Sequence, residues 1–183
     1  MKRILGTVLA SLLLAAGACN NAAQVVPVVE GQPVTARVNP GESLRGMDNE
    51  FAFFDSNIID AHFPPEQGAA TASVILTPLN LHRDGEERIT TEEAQKRMAA
   101  LRSPDAPQGF RPATIREGRA FAKANPEFQR QFSVVALGSS WVDLRGYRSV
   151  PCFNGWDGER GLDLCWTDDY DWGVGWRFLA VRK

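Results

Sequence analysis

Apolar residues in this chain fall into separate blocks, and each block has its own period. Ile4 to Ala16 is an unbroken apolar run behind Met1-Lys2-Arg3. As a helix it would rise only ~20 Å, short of the ~20 residues a bilayer crossing takes, so it reads as an export signal and not a span. Small residues Ala16-Gly17-Ala18 then lead into Cys19. From 19 to 46 no period survives. Pro27, Pro33 and Pro40 remove backbone donors at near-regular intervals, and the stretch reads as an extended tether with a reach of ~80 Å. The competing reading pairs Val25–Val29 or Val34–Val38 as an edge strand.

Residues 47–69 form an N-terminal extension. In it Phe51-Ala52-Phe53-Phe54 and Ile58-Ile59 make an apolar cluster ahead of Pro64-Pro65, expected to pack under the domain or to present a docking patch. Ala72 to Leu81 is apolar and β-branched, which predicts a strand whose far end Pro78 places at an edge. Thr90-Thr91-Glu92-Glu93 has capping-box spacing, and Ala94, Met98 and Leu101 share one face of the helix it opens, which Ser103-Pro104 stops. Thr114-Ile115-Arg116-Glu117 repeats the box. It opens a helix to about Ala124 with Ile115, Phe121 and Ala122 inside, ended by Asn125-Pro126.

After Phe132 the pattern turns to short aromatic and β-branched runs separated by Gly and Asp, the mark of strands and turns. A turn centred between Gly158 and Glu159 sets Cys152 opposite Cys165, Asn154 opposite Asp163 and Trp156 opposite Gly161. Facing Cβ atoms on such a hairpin lie near the separation a disulfide needs. The cysteine count agrees. Three cysteines are odd for an exported protein, and assigning Cys19 to another chemistry leaves Cys152 and Cys165 as a pair.

Composition narrows the function classes. Twenty Lys and Arg oppose twenty-two Asp and Glu, a net charge of −2, and removal of a leader carrying Lys2 and Arg3 leaves −4. No basic excess is present to neutralise phosphates, so nucleic acid is not expected as a partner. Two histidines and three cysteines cannot build a zinc cluster of the usual spacing, and no metal site or cofactor is expected.

Four further motifs carry resemblances. Ala16-Gly17-Ala18-Cys19 resembles the lipobox of bacterial lipoproteins. That resemblance implies a signal peptide over 1–18, acylation (palmitate among the chains) at Cys19, and a membrane-anchored protein of the cell envelope. Asn20 leans toward the outer membrane in a Gram-negative cell. Arg111-Pro112-Ala113-Thr114-Ile115-Arg116-Glu117 resembles the R-L-P-T-x-x-E signature that opens a helix in the formylglycine-generating (sulfatase-modifying) enzyme family and related C-type-lectin-like domains. Gly138-Ser139-Ser140-Trp141 is similar to the Trp/Ser-rich strand of those domains, and Gly175 to Arg182 to their closing G-F-R-x-x-R strand. The resemblance implies an α+β C-type-lectin-like domain over 70–183. It would have two short helices and a β-rich, loop-rich C-terminal half whose last strand pairs back with the first.

The family's oxidases hold copper with closely spaced cysteines, and the separation of Cys152 and Cys165 fits a hairpin disulfide instead. No catalytic residue is assigned. Gly138-Ser139-Ser140 is not a nucleophile elbow, and His62 and His82 read as loop or surface residues. Glu86-Glu87 and Glu92-Glu93 read as solvated acids.

The stretch from Trp156 to Trp176 holds four of the five tryptophans and six acids against the single Arg160. Indole faces stack on sugar rings or cations, and carboxylates accept from hydroxyls or amines. Trp156, Asp168, Asp169, Tyr170, Asp171 and Trp172 are therefore the candidate ligand-binding residues, for a glycan or protein ligand. A calcium site in the acidic loop is a weaker option, because the spacing does not match an EF-hand. The alternative for Trp156, Trp166 and Trp176 is a place in the core, and for Tyr170 and Trp172 a place on the bare surface. The expected function is an envelope lipoprotein displaying a non-catalytic binding domain. The alternatives are a sulfatase-modifying-type oxidase, or a structural component docking through residues 51–59.

Overall fold

The computed structural model describes residues 31–168 and 171–183. The leader, the lipobox with Cys19, and the first part of the tether lie outside the described residues, as do Asp169 and Tyr170. Strands β1 (Val34–Val38), β2 (Phe53–Phe54), β3 (Ala72–Leu79) and β4 (Arg88–Ile89) precede helix α1 (Thr91–Ala100). Next come β5 (Phe110–Pro112), helices α2 (Ile115–Ala124) and α3 (Phe128–Gln131), and β6 (Ser133–Val135). The chain closes through β7 (Trp141–Val142), β8 (Arg148–Trp156), β9 (Glu159–Trp166), β10 (Trp172–Gly173) and β11 (Trp176–Arg182). The fold is mixed α+β, with three short helices on a large sheet ordered β1-β3-β11-β6-β8-β9-β2. β5 and β7 add to β11 and β8, and β4 with β10 forms a separate small pair.

Both helix starts follow the caps read from the sequence. Thr90 Oγ1 accepts the Glu93 N–H at 3.2 Å, and Thr114 completes a reciprocal box with Glu117. Ala94 and Met98 are buried as expected, whereas Leu101 sits at the C-cap and is partly exposed. The closing strand β11 pairs antiparallel with β3, and Pro78 lies beyond the end of β1, so its missing donor interrupts no second ladder.

The sheet is covered on both faces. Along β11, Phe178 and Ala180 join a core with Ala94 and Met98 of α1, while Leu179 and Val181 join a core with Ile115 and Phe121 of α2. Alternate residues of a strand point to opposite faces, so runs such as Phe178-Leu179-Ala180-Val181 are apolar without a break.

The stretch from 31 to 46, read as tether, belongs to the domain: β1 pairs with β3 along its whole length. Pro33 and Pro40 flank this edge strand and do not interrupt it. The extension over 47–69 is also integral. Phe51 and Ile58 are buried with the α2-side core, and Phe53 and Ile59 are exposed.

Arginines on α2 clamp this N-terminal segment. Arg116 donates to the carbonyls of Glu42 (2.7 Å) and Phe63 (3.2 Å) and to Asp60 (3.1 Å). Arg119 engages both carboxylate oxygens of Glu50. Desolvation pushes Glu50 upward, but hydrogen bonds from Arg119 and Lys123 outweigh it and hold the carboxyl below its usual range. Asp60 is likewise pushed up by desolvation and brought down further by Ser43, the Leu44 N–H and Arg116. Glu86, paired with Arg97 of α1 and not free in solvent, is held at about 2. Depressed carboxyls stabilise the fold above their unfolded pKa, and that contribution is lost as pH falls through the folded value. Protection of residues 42–66 in hydrogen exchange is therefore expected to fall as pH drops below the ordinary carboxylate range, ahead of protection in β11.

Candidate functional site

The β8–β9 hairpin forms as expected, but in a different register. Asp157 and Gly158 both have positive φ (51° and 79°), as a two-residue type I′ turn requires. Trp156 therefore faces Glu159, Asn154 faces Gly161 and Cys152 faces Asp163. The Asp-Gly pair, which favours positive φ at both central positions, moves the turn one residue toward the N-terminus of the expected centre. A shift of this kind preserves the face, so Cys152 and Cys165 become diagonal neighbours and not opposites. Their Cα atoms are 6.1 Å apart and the sulfurs lie at disulfide distance.

The same register puts Asn154, Trp156, Gly161 and Asp163 on one face of the hairpin. Strand β2 pairs parallel with β9, Phe53 beside Gly161, so Phe53 joins that face from the sheet's edge. Trp156 is 76% exposed and Phe53 52% exposed, and between them runs an open groove of about 660 Å³ bordered also by Asp55, Asn154 and Asp163. Gly161 makes room for the Asn154 side chain, which lies over it. A Cβ there would lie 2.5 Å from Asn154 Oδ1 and 3.4 Å from the Phe53 Cβ.

The floor is held from beneath. Gln129 of α3, almost fully buried, donates through Nε2 to the carbonyls of Asn154 (3.2 Å) and Gly161 (3.0 Å). Gly155 lets the hairpin sit directly on α3, since a Cβ would come within 2.6 Å of the Gln129 carbonyl. A solvent-facing indole on a braced hairpin, across an open groove from Phe53, is a preformed surface for a ring ligand.

The other candidate residues are placed differently. Trp172 is 0% exposed: it packs edge-on against Trp176 at 4.9 Å, and its Nε1 donates to Thr91 Oγ1 at 3.0 Å. It is a core residue and not a ligand contact, because pairing of β10 with β4 folds it under α1. Asp168 is exposed and structural, accepting from the Arg148 N–H at 3.1 Å and the Thr167 hydroxyl at 3.3 Å. Asp171 is exposed, and the structure does not bring it or Asp168 to the groove. Asp169 and Tyr170 lie outside the described residues.

The core alternative fails for Trp156 and Trp166 and holds for Trp176, which packs against Trp172 and the α1-side core. Trp156 and Trp166 are exposed and Trp176 is half-buried. Trp166 stacks on Tyr147 at 5.5 Å, with the Arg145 guanidinium 5.3 Å from the tyrosine ring, a second exposed aromatic pair at the opposite end of the hairpin strands. The sequence pattern does not bring Phe53, Asp55, Asn154 and Asp163 together, because β2 meets β9 only in three dimensions. The Asp157-Gly158 turn is the one local signal that sets Asn154 opposite Gly161.

Neither histidine meets a nucleophile. His62 Nδ1 donates to the Asn57 carbonyl at 2.8 Å and its ring stacks on Trp141, while His82 Nε2 lies 2.9 Å from the Trp172 carbonyl. Ser139 Oγ accepts the Ile115 N–H at 2.9 Å, which completes the start of α2. Among the described residues no group of three or more His, Cys, Asp or Glu side chains is arranged to hold a metal ion, and no helix is long and apolar enough to cross a membrane. No family model, no curated protein and no solved structure matches this chain.

Proposed function

We propose that this protein is a non-catalytic binding protein of the cell envelope, lipid-anchored at Cys19, whose C-type-lectin-like domain takes a sugar ring in the groove beside Trp156. One observation carries the reading: an indole 76% exposed on a rigid hairpin, at the edge of an open groove that it shares with Phe53. An exposed tryptophan has no packing role to explain it, and its apolar face suits the C–H face of a pyranose. Asn154 makes no side-chain hydrogen bond among the described residues, which leaves its carboxamide available for hydroxyls. The approach of Cys152 to Cys165 supports the binding reading over a copper oxidase, because a disulfide leaves no thiolate for the metal. The envelope assignment rests on the resemblance of residues 16–19 to a lipobox.

A glycan array probed with the detergent-solubilised full-length protein tests the site. Wild type is expected to retain a defined set of glycans and Trp156→Ala to lose about tenfold or more in affinity for them, a typical loss when an aromatic platform is removed. Unchanged binding by Trp156→Ala would remove the groove from the account. The anchor is tested separately by labelling cells with a palmitate analogue, which Cys19→Ser should fail to incorporate.

A further inference from the structure

We infer that the ring bound in this groove carries a positive charge, and that the ligand is an amino sugar with a free, protonated amine. This inference rests on the glycan-binding reading of the groove and adds the chemical class. The walls are the aromatic faces of Trp156 and Phe53, and the polar rim is made of Asp55, Asp163 and the neutral amide of Asn154. Among the described residues no Lys or Arg side chain lines it. Glu159, directly opposite Trp156 in the ladder, adds a third carboxylate to the same face.

The nearest arginine in sequence is turned away. Alternation along β9 puts Arg160 on the opposite face, where its guanidinium donates to the carbonyls of Ala122 and Glu50, each at 3.0 Å. Ring faces carry a negative quadrupole that attracts cations, and carboxylates add a direct charge interaction. The groove therefore complements an ammonium group and disfavours a uronate or a sialic acid. The carboxylates are only partly committed inside the protein. Asp163 Oδ1 accepts the Leu164 N–H at 2.8 Å, and Asp55 Oδ1 accepts the Asn57 N–H at 2.7 Å. Replacement of either residue by Asn keeps the accepting Oδ1 and removes only the charge.

The test is calorimetric titration of the full-length protein with a glucosamine oligosaccharide and its fully N-acetylated counterpart. Mildly acidic pH keeps the sugar amine protonated. The free-amine oligomer is expected to bind about tenfold tighter, the scale of a few partly exposed charge contacts acting together. That preference should weaken as salt is raised and should vanish in the double variant Asp55→Asn/Asp163→Asn. Equal or tighter binding of the N-acetylated oligomer, with Trp156→Ala weakening both, would overturn the charge inference and leave the groove standing. Failure of Trp156→Ala to weaken either oligomer, or no binding of either, would overturn both readings.

Discussion

Trp172→Ala is expected to lower unfolding free energy by about 3–5 kcal/mol, whereas Trp156→Ala should change it by no more than about 0.5 kcal/mol. The two residues lie in the same acidic, aromatic stretch and look alike in sequence. Trp172 is fully buried against Trp176 and Phe178, and its ring nitrogen donates to the Thr91 hydroxyl at the first position of α1. Truncation would open a cavity between α1 and the sheet and leave that hydroxyl without its donor. Domains of this size are stable by only about 5–15 kcal/mol, so the variant would approach the unfolding threshold. Urea titration followed by circular dichroism separates the two cases, and similar midpoints for both variants would contradict the burial pattern.

Gly138→Ala is expected to destabilise by about 1–3 kcal/mol, although it adds a single methyl group. An ideal Cβ at this position would lie 2.7 Å from the carbonyl oxygens of both Pro112 and Ala113, and these are backbone atoms with no rotamer to change. The Gly138 N–H donates to the Ala113 carbonyl at 2.8 Å, so the close approach is also a hydrogen bond. Beside it Arg111 engages Glu117 through two nitrogens, at 2.9 and 2.6 Å, and Glu117 accepts the Thr114 N–H at 2.7 Å. The two motifs singled out in the sequence thus form one joint at the start of α2. The same urea titration measures the loss, and a wild-type midpoint would mean that the joint can open without penalty.

The features legible in the sequence are those decided by neighbours in the chain. Thr90 and Thr114 start helices by their own hydrogen bonds, and Asp157-Gly158 makes a hairpin because both residues tolerate positive φ. The register differs from the expected one by one turn position, since the four residues from Asp157 to Arg160 allow more than one centre. Contacts between distant segments had no such local signature. Nothing near Trp172 announces that Arg88–Ile89 will pair with it, and nothing near Phe53 announces Gly161. The fate of each tryptophan depended on those pairings. The tether reading extends too far for a related reason: Pro33 and Pro40 argue against a helix or a central strand, but they bracket Val34–Val38, the edge-strand alternative, and that strand forms.

Two exposed aromatic surfaces compete for the role of binding site, Trp156 with Phe53 and Trp166 with Tyr147. Hydroxyl-radical footprinting of the full-length protein, with and without a saturating glycan retained on the array, distinguishes them in one measurement. The account predicts that oxidation of Trp156 and Phe53 falls on binding while Trp166 and Tyr147 stay as reactive as in the free protein. Protection of Trp166 and Tyr147 with Trp156 unchanged would contradict it.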